Sequence, residues 1–218
     1  MGFSEQELVE EIIFRAKEAV GKNVQAKEGK ILAVNEAVKA SKLVQIACGV
    51  AYNSKGNEVT LNPDKRLQLL RDTIDETDFK VIVFVPFVST VNMVLTYLRD
   101  KGYTAECIYG SVKKTDRDRI FQNFQKEDNP RVLVAQPGAM SHGLTLTRAN
   151  MIIWYAPVTS NDIYTQANGR ITRPGQLNNQ FIIHLEGTDI ERKIFSRLKS
   201  KQNMQGILLD SVQQSRPQ

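Results

Sequence analysis

The chain has 218 residues, 41% of them hydrophobic and 24% charged, with a formal net charge of +5; this length holds one domain, or one domain with an extension, and is enough for a stable core. No run of 18 apolar residues occurs and the N-terminus is acidic, so neither a membrane-spanning helix nor a signal peptide is expected, and two cysteines and two histidines far apart build neither a disulfide framework nor a zinc site, which points to a reducing cytoplasm. The mild excess of Lys and Arg fits a polyanion partner but is spread along the chain rather than gathered in a basic arm.

Ser4 with Glu7 resembles a capping box, and Leu8, Ile12, Ala16 and Ala19 follow at helical spacing. A second amphipathic helix is expected from about Ile31 to Val50. Tyr52 to Leu61, with Asn53 and Gly56 inside it and Asn62-Pro63 after it, reads as a turn-rich connection. Arg66 to Ile74 reads as another helix. From Phe79 the texture changes. Val81 to Val85 is a continuous β-branched run, as expected of a strand buried on both faces. Ser89 to Leu98 is helical, Glu106 to Tyr109 a short strand, and Thr115 to Phe124 a helix with Ile120 and Phe124 on one side. Val132 to Ala135, Met151 to Tyr155 and Phe181 to Leu185 are further apolar strands. Thr188 with Glu191 forms another capping box, opening a final helix to about Lys201, and the tail after Ser211 is polar.

Alternating strands and helices imply right-handed crossovers and a parallel sheet covered on both faces. In such sheets ligands sit beyond the carboxyl ends of the strands. Attention therefore falls on the loops after Val85, Tyr109, Ala135, Tyr155 and Leu185.

The sharpest chemical signal is Gln166-Ala167-Asn168-Gly169-Arg170-Ile171-Thr172-Arg173-Pro174-Gly175-Gln176. Arginines three apart share one face of a helix, and two guanidinium forks on one face suit a phosphate chain. The string resembles motif VI of superfamily 2 helicases, in the Swi/Snf-like branch. That resemblance places Arg170 and Arg173 on the paired arginines that act as fingers on ATP held by a partner lobe, and Gln166 on the motif's glutamine. The stretch Val132 to Leu146 is similar to motif V: a buried strand, a glycine-containing loop through Gln136-Pro137-Gly138, then Gly143-Leu144 with Thr145 where the family commonly has Asn. His142 reads as a loop residue. Val81 to Val85 with Pro86-Phe87 resembles motif IV, and Gly110-Ser111 with Arg117 and Phe124 resembles the next family element, whose loop lies beside nucleic acid and here carries Lys113 and Lys114. Upstream, Lys42 to Tyr52 looks like the stretch joining two lobes in phage and bacterial members, with Gln45 and Gly49 in the family's places.

The resemblance implies a RecA-like parallel α/β sheet with helices on both faces, preceded by an N-terminal helical extension. Residues 1–62 would be that extension, 63–205 the C-terminal helicase lobe and 206–218 a polar tail. Arg170 and Arg173 are the implied catalytic pair, with Gln166, Gly143 and Thr145 on the ATP side. Phe87, Ser111, Lys113, Gln136, Pro137 and Gly138 would face nucleic acid, DNA rather than RNA. A P-loop is absent: Gly21-Lys22 is followed by Asn23, and Ala16 stands where the first glycine would be. Asp75-Glu76-Thr77-Asp78 spells an acidic box but follows a helical stretch rather than a buried strand, so it reads as a solvated helix end. ATP and Mg²⁺ are therefore expected only in a complete two-lobe protein, with an N-terminal ATP-binding lobe as partner and no membrane, in the cytoplasm of a bacterial or phage-infected cell. Two other readings stay open: a non-catalytic nucleic-acid-binding or adaptor module that keeps the fold, and a P-loop kinase-like enzyme, which the missing P-loop disfavours.

Overall fold

The computed structural model describes residues 40–52, 58–60, 63–140, 146–172 and 178–200. They fall into two compact units divided between Asp64 and Lys65. The expected helix at Ser4–Ala19, most of that at Ile31–Val50, and the tail lie outside the described residues.

In the first unit a helical stretch covers residues 40–47. It stops before Val50 because Gly49 takes φ +85, a left-handed conformation that side chains with a Cβ resist. A Cβ at Gly49 would also lie 2.6 Å from the Pro63 Cβ. The turn-rich connection expected over Tyr52–Leu61 is instead flanked by paired strands. β1 (Val50–Tyr52) and β2 (Glu58–Thr60) run antiparallel, with Val50 opposite Thr60 and Tyr52 opposite Glu58. Val50-Ala51-Tyr52 and Glu58-Val59-Thr60 are each three residues long, too short to show an alternation, so only the pairing itself reveals them.

The second unit is a five-stranded sheet. In chain order it contains α1 (Asp64–Asp75), β3 (Lys80–Phe84), α2 (Val88–Asp100), β4 (Ala105–Ile108), α3 (Lys114–Lys126), β5 (Val132–Ala135), a 3₁₀ turn (Pro137–Met140), β6 (Ala149–Trp154), α4 (Asn161–Asn168), β7 (Phe181–His184) and a helix over residues 189–200, here α5. The spatial order is β4-β5-β3-β6-β7, and every neighbouring pair is parallel. All five residues of β3 and all of β5 and β6 are buried. Their near-continuous apolar runs are what a strand enclosed on both faces requires. β3, β4 and β6 start a residue or two earlier than the apolar runs suggest, while β5 and β7 start where expected.

Side chains alternate across the sheet. Ile82 and Phe84, Leu133 and Ala135, and Ile152 and Trp154 point to one face. There they join Ile120, Phe121 and Phe124 of α3, Tyr164 and Ala167 of α4, and Phe195 and Leu198 of α5 in one buried cluster. The alternate residues, Val81, Val83, Val134 and Ile153, are also fully buried. They face the side left to α1 and α2, whose buried residues Leu70, Ile74, Val94 and Leu98 belong to no part of that cluster. An aromatic line runs through the first face: Phe84 to Trp154 at 4.9 Å, Trp154 to Tyr164 at 5.0 Å, Tyr164 to His184 at 5.8 Å and His184 to Phe195 at 4.3 Å between ring centroids. Each such pair adds about 0.5–1.5 kcal/mol beyond area burial. The line ties three strands to two helices.

Asp75 ends α1 and is exposed, accepting a hydrogen bond from the Tyr103 hydroxyl at 2.6 Å. The acidic box is a helix end. Burial, and then that bond, push the Tyr103 hydroxyl up to about 12. Both cysteines are free thiols.

Candidate functional site

The five loops singled out in the sequence all leave the carboxyl edge of the sheet, and the central strand order decides which of them meet. β4, β5 and β3 are adjacent, so the loops after Ile108, Ala135 and Phe84 share one half of that edge. Gln136 joins all three. Its backbone N–H donates to the Ile108 carbonyl at 2.8 Å, and its side-chain Nε2 donates to the Pro86 carbonyl at 3.3 Å. The glutamine thus holds the spacing of its neighbours' loops. Pro137 is buried beneath the 3₁₀ turn, while Gly138 is exposed, and a Cβ built there would meet nothing within 4 Å. A bare, exposed backbone of this kind can be approached closely.

Phe87, half-buried, precedes α2 in an extended conformation, with φ −115 and ψ 135. Ser111 and Lys113 are exposed in the loop before α3. That loop is shaped by a turn from Val112 N–H to the Tyr109 carbonyl at 3.0 Å and by Arg117 Nη2 donating to the Val112 carbonyl at 3.2 Å. Lys113 caps α3 without a side-chain bond and Lys114 opens it. A helix N-terminus carries partial positive charge, so two lysines there cost stability, on the order of 0.3–1 kcal/mol each. A polyanion would relieve that repulsion, and its phosphates would meet both the lysines and the free helix amides.

The other half of the edge belongs to β6 and β7. Ser160 caps α4 by accepting from the Ile163 N–H at 3.4 Å, and Gln166 is exposed on the last turn. Arg170 stands beyond the helix: α4 ends at Asn168, with Gly169 as its C-cap, and Arg173, its companion on the expected helix face, lies outside the described residues. The side chain of Asn168, a residue 3% exposed, accepts from the Trp154 indole Nε1 at 2.9 Å, which fixes the end of α4 against the β6 end. The backbone then tightens, with Arg170 N–H donating to Ala167 at 3.1 Å and Ile171 N–H to Asn168 at 3.4 Å. Arg170 sits in this turn, its carbonyl accepts from Leu146 N–H at 3.0 Å, and its side chain is 5% exposed. Leu146 directly follows the glycine loop, so the two motif stretches are joined by backbone. The 3₁₀ turn also packs against α4. Arg173, Gly143, Thr145 and His142 lie outside the described residues.

One assembly at this edge was not visible in the sequence. Arg66 of α1 donates from Nη1 to the Tyr155 carbonyl at 2.5 Å and pairs through Nη2 with Glu191 Oε2 at 2.6 Å, the side chains being 9% and 0% exposed. Its guanidinium lies 5.4 Å from the centroid of the Tyr155 ring. Glu191 Oε2 also accepts from Gly187 N–H at 3.1 Å and Thr188 Oγ1 at 3.0 Å. The capping box at Thr188 and Glu191 is therefore real, and its glutamate has a second duty, holding α1 over the exits of β6 and β7. Nothing in sequence spacing could announce a partner 125 residues away.

His184, at the end of β7, is partly buried, and the desolvation, helped by Lys199, holds its imidazole down at about 4. Its Nε2 lies within hydrogen-bond distance of the Tyr164 hydroxyl, at 2.8 Å.

Comparison with known proteins gives this geometry a context. The family model described as the helicase conserved C-terminal domain matches residues 65–175. The DNA repair protein rhp54 of Schizosaccharomyces pombe is 28% identical over 148 residues, 67% of this chain and 17% of that protein. The putative helicase 172L of Invertebrate iridescent virus 6 is 28% identical over 190 residues, 79% of this chain and 31% of its own length. The chain thus spans less than a third of either relative. Among solved structures, the C-terminal part of the Fun30 ATPase domain superposes with a TM-score of 0.56 at 21% identity, covering 84% of this chain and 62% of that one. The fold is the RecA-like fold of helicase C-terminal domains.

Proposed function

The chain belongs to the helicase conserved C-terminal domain family, and on that premise we propose that it is the second lobe of an ATP-dependent, Swi/Snf-like nucleic-acid translocase, acting on DNA rather than RNA. Rhp54, a DNA repair protein, and 172L, a putative helicase, support this direction. The loop sequence around Gln45 and Gly49 supports a phage or bacterial member. Residues 1–62 would join the lobe to its partner, and residues 206–218 would form a polar tail.

In this reading the two halves of the carboxyl edge divide the work. Phe87, Ser111, Lys113 and Gln136–Gly138 line the backbone of the nucleic acid, with phosphates positioned by Lys113 and by open main chain at Gly138. Such contacts set register and carry no sequence information. Arg170 and Arg173, with Gln166, Gly143 and Thr145, face a nucleotide held by the P-loop of the other lobe. ATP with Mg²⁺ would supply the transferable phosphoryl group there. Mg²⁺ would be held with the nucleotide by the other lobe. What this lobe supplies is fixed positive charge where negative charge develops on the γ-phosphate, in a site from which water is excluded.

The observation that carries the proposal is the backbone union of the two motif stretches. Leu146 N–H on the Arg170 carbonyl makes the arginine turn and the glycine loop one unit, so closure on nucleotide and grip on nucleic acid move together. The test is ATP turnover by the purified chain, alone and after addition of a P-loop lobe, each with and without DNA. The chain alone is expected to show background turnover and the assembled pair DNA-stimulated turnover. Robust Mg²⁺-dependent hydrolysis by the chain alone would overturn the assignment.

A further inference from the structure

The opposite edge of the sheet carries a second feature that the translocase reading does not use. A cavity of about 660 Å³ opens among the segments that lead into β3, β4, β5 and β6. This is the size of a small-ligand site, and it lies at the amino ends of the strands.

Its wall contains four cations, Lys80, Lys101, Arg131 and Arg148, against two carboxylates, Asp78 and Asp128. The carboxylates do not neutralise the buried cations. Asp128 pairs with Arg148 at 3.4 Å on the exposed rim, where its own side chain is 99% exposed. Lys80 is 6% exposed, and among the described residues its ammonium meets only the Pro130 carbonyl, at 2.7 Å, and the face of Phe124, at 4.9 Å. Arg131 donates to the Ile74 carbonyl at 3.1 Å and to the Thr77 carbonyl, and lies 5.8 Å from the Tyr103 ring centroid. Neither meets a carboxylate. Desolvation, followed by the charge of Arg148, pulls the Lys80 ammonium below its usual range.

A buried cation is costly unless paired. Nine-tenths buried beside an open, polar cavity, Lys80 feels the charges of Asp128 and Glu127 but bonds neither, which leaves space for a closer counter-ion. The other fittings suit one class of anion. Asn129 contributes a side-chain amide to the lining, and the Phe79 ring, 46% exposed, a flat apolar face. Cations, an amide and an exposed ring in one lining match a phosphate group carrying a planar base.

We propose that this cavity is a second, non-catalytic site for a phosphomonoester, bound through Lys80, Lys101 and Arg148, with an attached base resting on Phe79. The monoester comes from a free mononucleotide or from the 5′ end of a nucleic-acid strand. The proposal does not rest on the assignment of the carboxyl edge, because the two sites lie at opposite ends of the strands.

Amide chemical shifts of the full chain are followed while AMP, adenosine, a 5′-phosphorylated oligonucleotide and its unphosphorylated twin are added in turn. Saturable shifts confined to residues 78–80, 101–104 and 128–131 are expected with AMP below about 10 mM, and none there with adenosine. Saturation by the 5′-phosphorylated strand alone would keep the site and assign it to strand ends. Lys101→Glu with Arg148→Glu, both exposed, should weaken the binding at least about tenfold, as loss of charge-assisted bonds demands. Lys80→Met removes the buried charge at constant length, and should abolish the shifts while leaving a folded spectrum. Equal binding of the unphosphorylated strand or of adenosine, no saturation with any probe, or unchanged affinity in the charge-reversed variant would overturn the proposal. Arg170→Ala should leave these shifts unaltered.

Discussion

Removing either partner of the Arg66–Glu191 pair should cost this lobe a large part of its stability. The pair is 2.6 Å apart with side chains 9% and 0% exposed. Glu191→Ala takes the buried carboxylate away from the Arg66 guanidinium. Arg66→Ala leaves a fully enclosed carboxylate whose remaining donors are one amide and one hydroxyl. Breaking a buried pair in this way costs about 3–5 kcal/mol, and Glu191 also loses its capping duty at Thr188, worth about 1 kcal/mol. Total stabilities are on the order of 5–15 kcal/mol. With a urea slope of about 1–3 kcal/mol per molar, each single variant should lower the unfolding midpoint by more than about 1 M. Urea titration followed by circular dichroism measures this. The double variant Arg66→Met with Glu191→Leu should recover most of the loss, because apolar side chains of similar volume replace buried pairs at little cost. Single-variant losses under about 1 kcal/mol, or a double variant whose loss equals the sum of the singles, would show that the pair is not what fixes α1 over the β6 and β7 exits.

Acid should weaken the lobe through His184. Its folded imidazole is held at about 4, against an unfolded value of about 6.5. Between those values the unfolded chain takes up a proton that the folded chain refuses, so stability is full above about pH 6.5 and falls as pH drops toward 4. The fall is at most about 3 kcal/mol, reduced by the ring's partial exposure. Thermal melts of His184→Gln across that range should show a flatter profile than the parent, and parallel profiles would remove His184 as the cause. Binding to duplex DNA should be weak, independent of sequence and steeply salt-dependent, because neutralised phosphates release counterions. Lys113→Ala should lower the slope of log affinity against log salt by about one, and an unchanged slope would take Lys113 off the contact surface.

The strands were legible because nothing but a buried parallel strand explains Val81–Val85 or Val132–Ala135, and the structure encloses both. The capping box at Thr188 and Glu191 was legible because its bonds are local. The pairing of β1 with β2 was not, since three-residue strands carry no period and their partners are joined only through residues 53–57. The end of α4 misled for a different reason. Gln166-Ala167-Asn168 is helix as it reads, but the helix stops before Arg170, and the bond of Asn168 to the Trp154 indole that packs this end is encoded by no local pattern. Arg66 with Glu191, and Lys80 with its cavity, depend on elements brought together by the crossovers. The motif string located Gln166 and Arg170 at the carboxyl edge by resemblance. Their surroundings, above all the burial of Arg170, came only from the fold.

The central claim, that this lobe supplies charge to a nucleotide held elsewhere, is tested most directly by Arg170→Lys and Arg173→Lys in a protein containing both lobes. Steady-state ATP turnover is measured with saturating DNA, and thermal melts are run on the same samples. Arginine fingers are worth on the order of 10³–10⁵ in rate, and lysine lacks the planar fork. Turnover should therefore fall by at least about a hundredfold in each variant, with the melting temperature within a few degrees of the parent. Near-parental turnover in both, or loss of turnover only in step with loss of the fold, would contradict the claim.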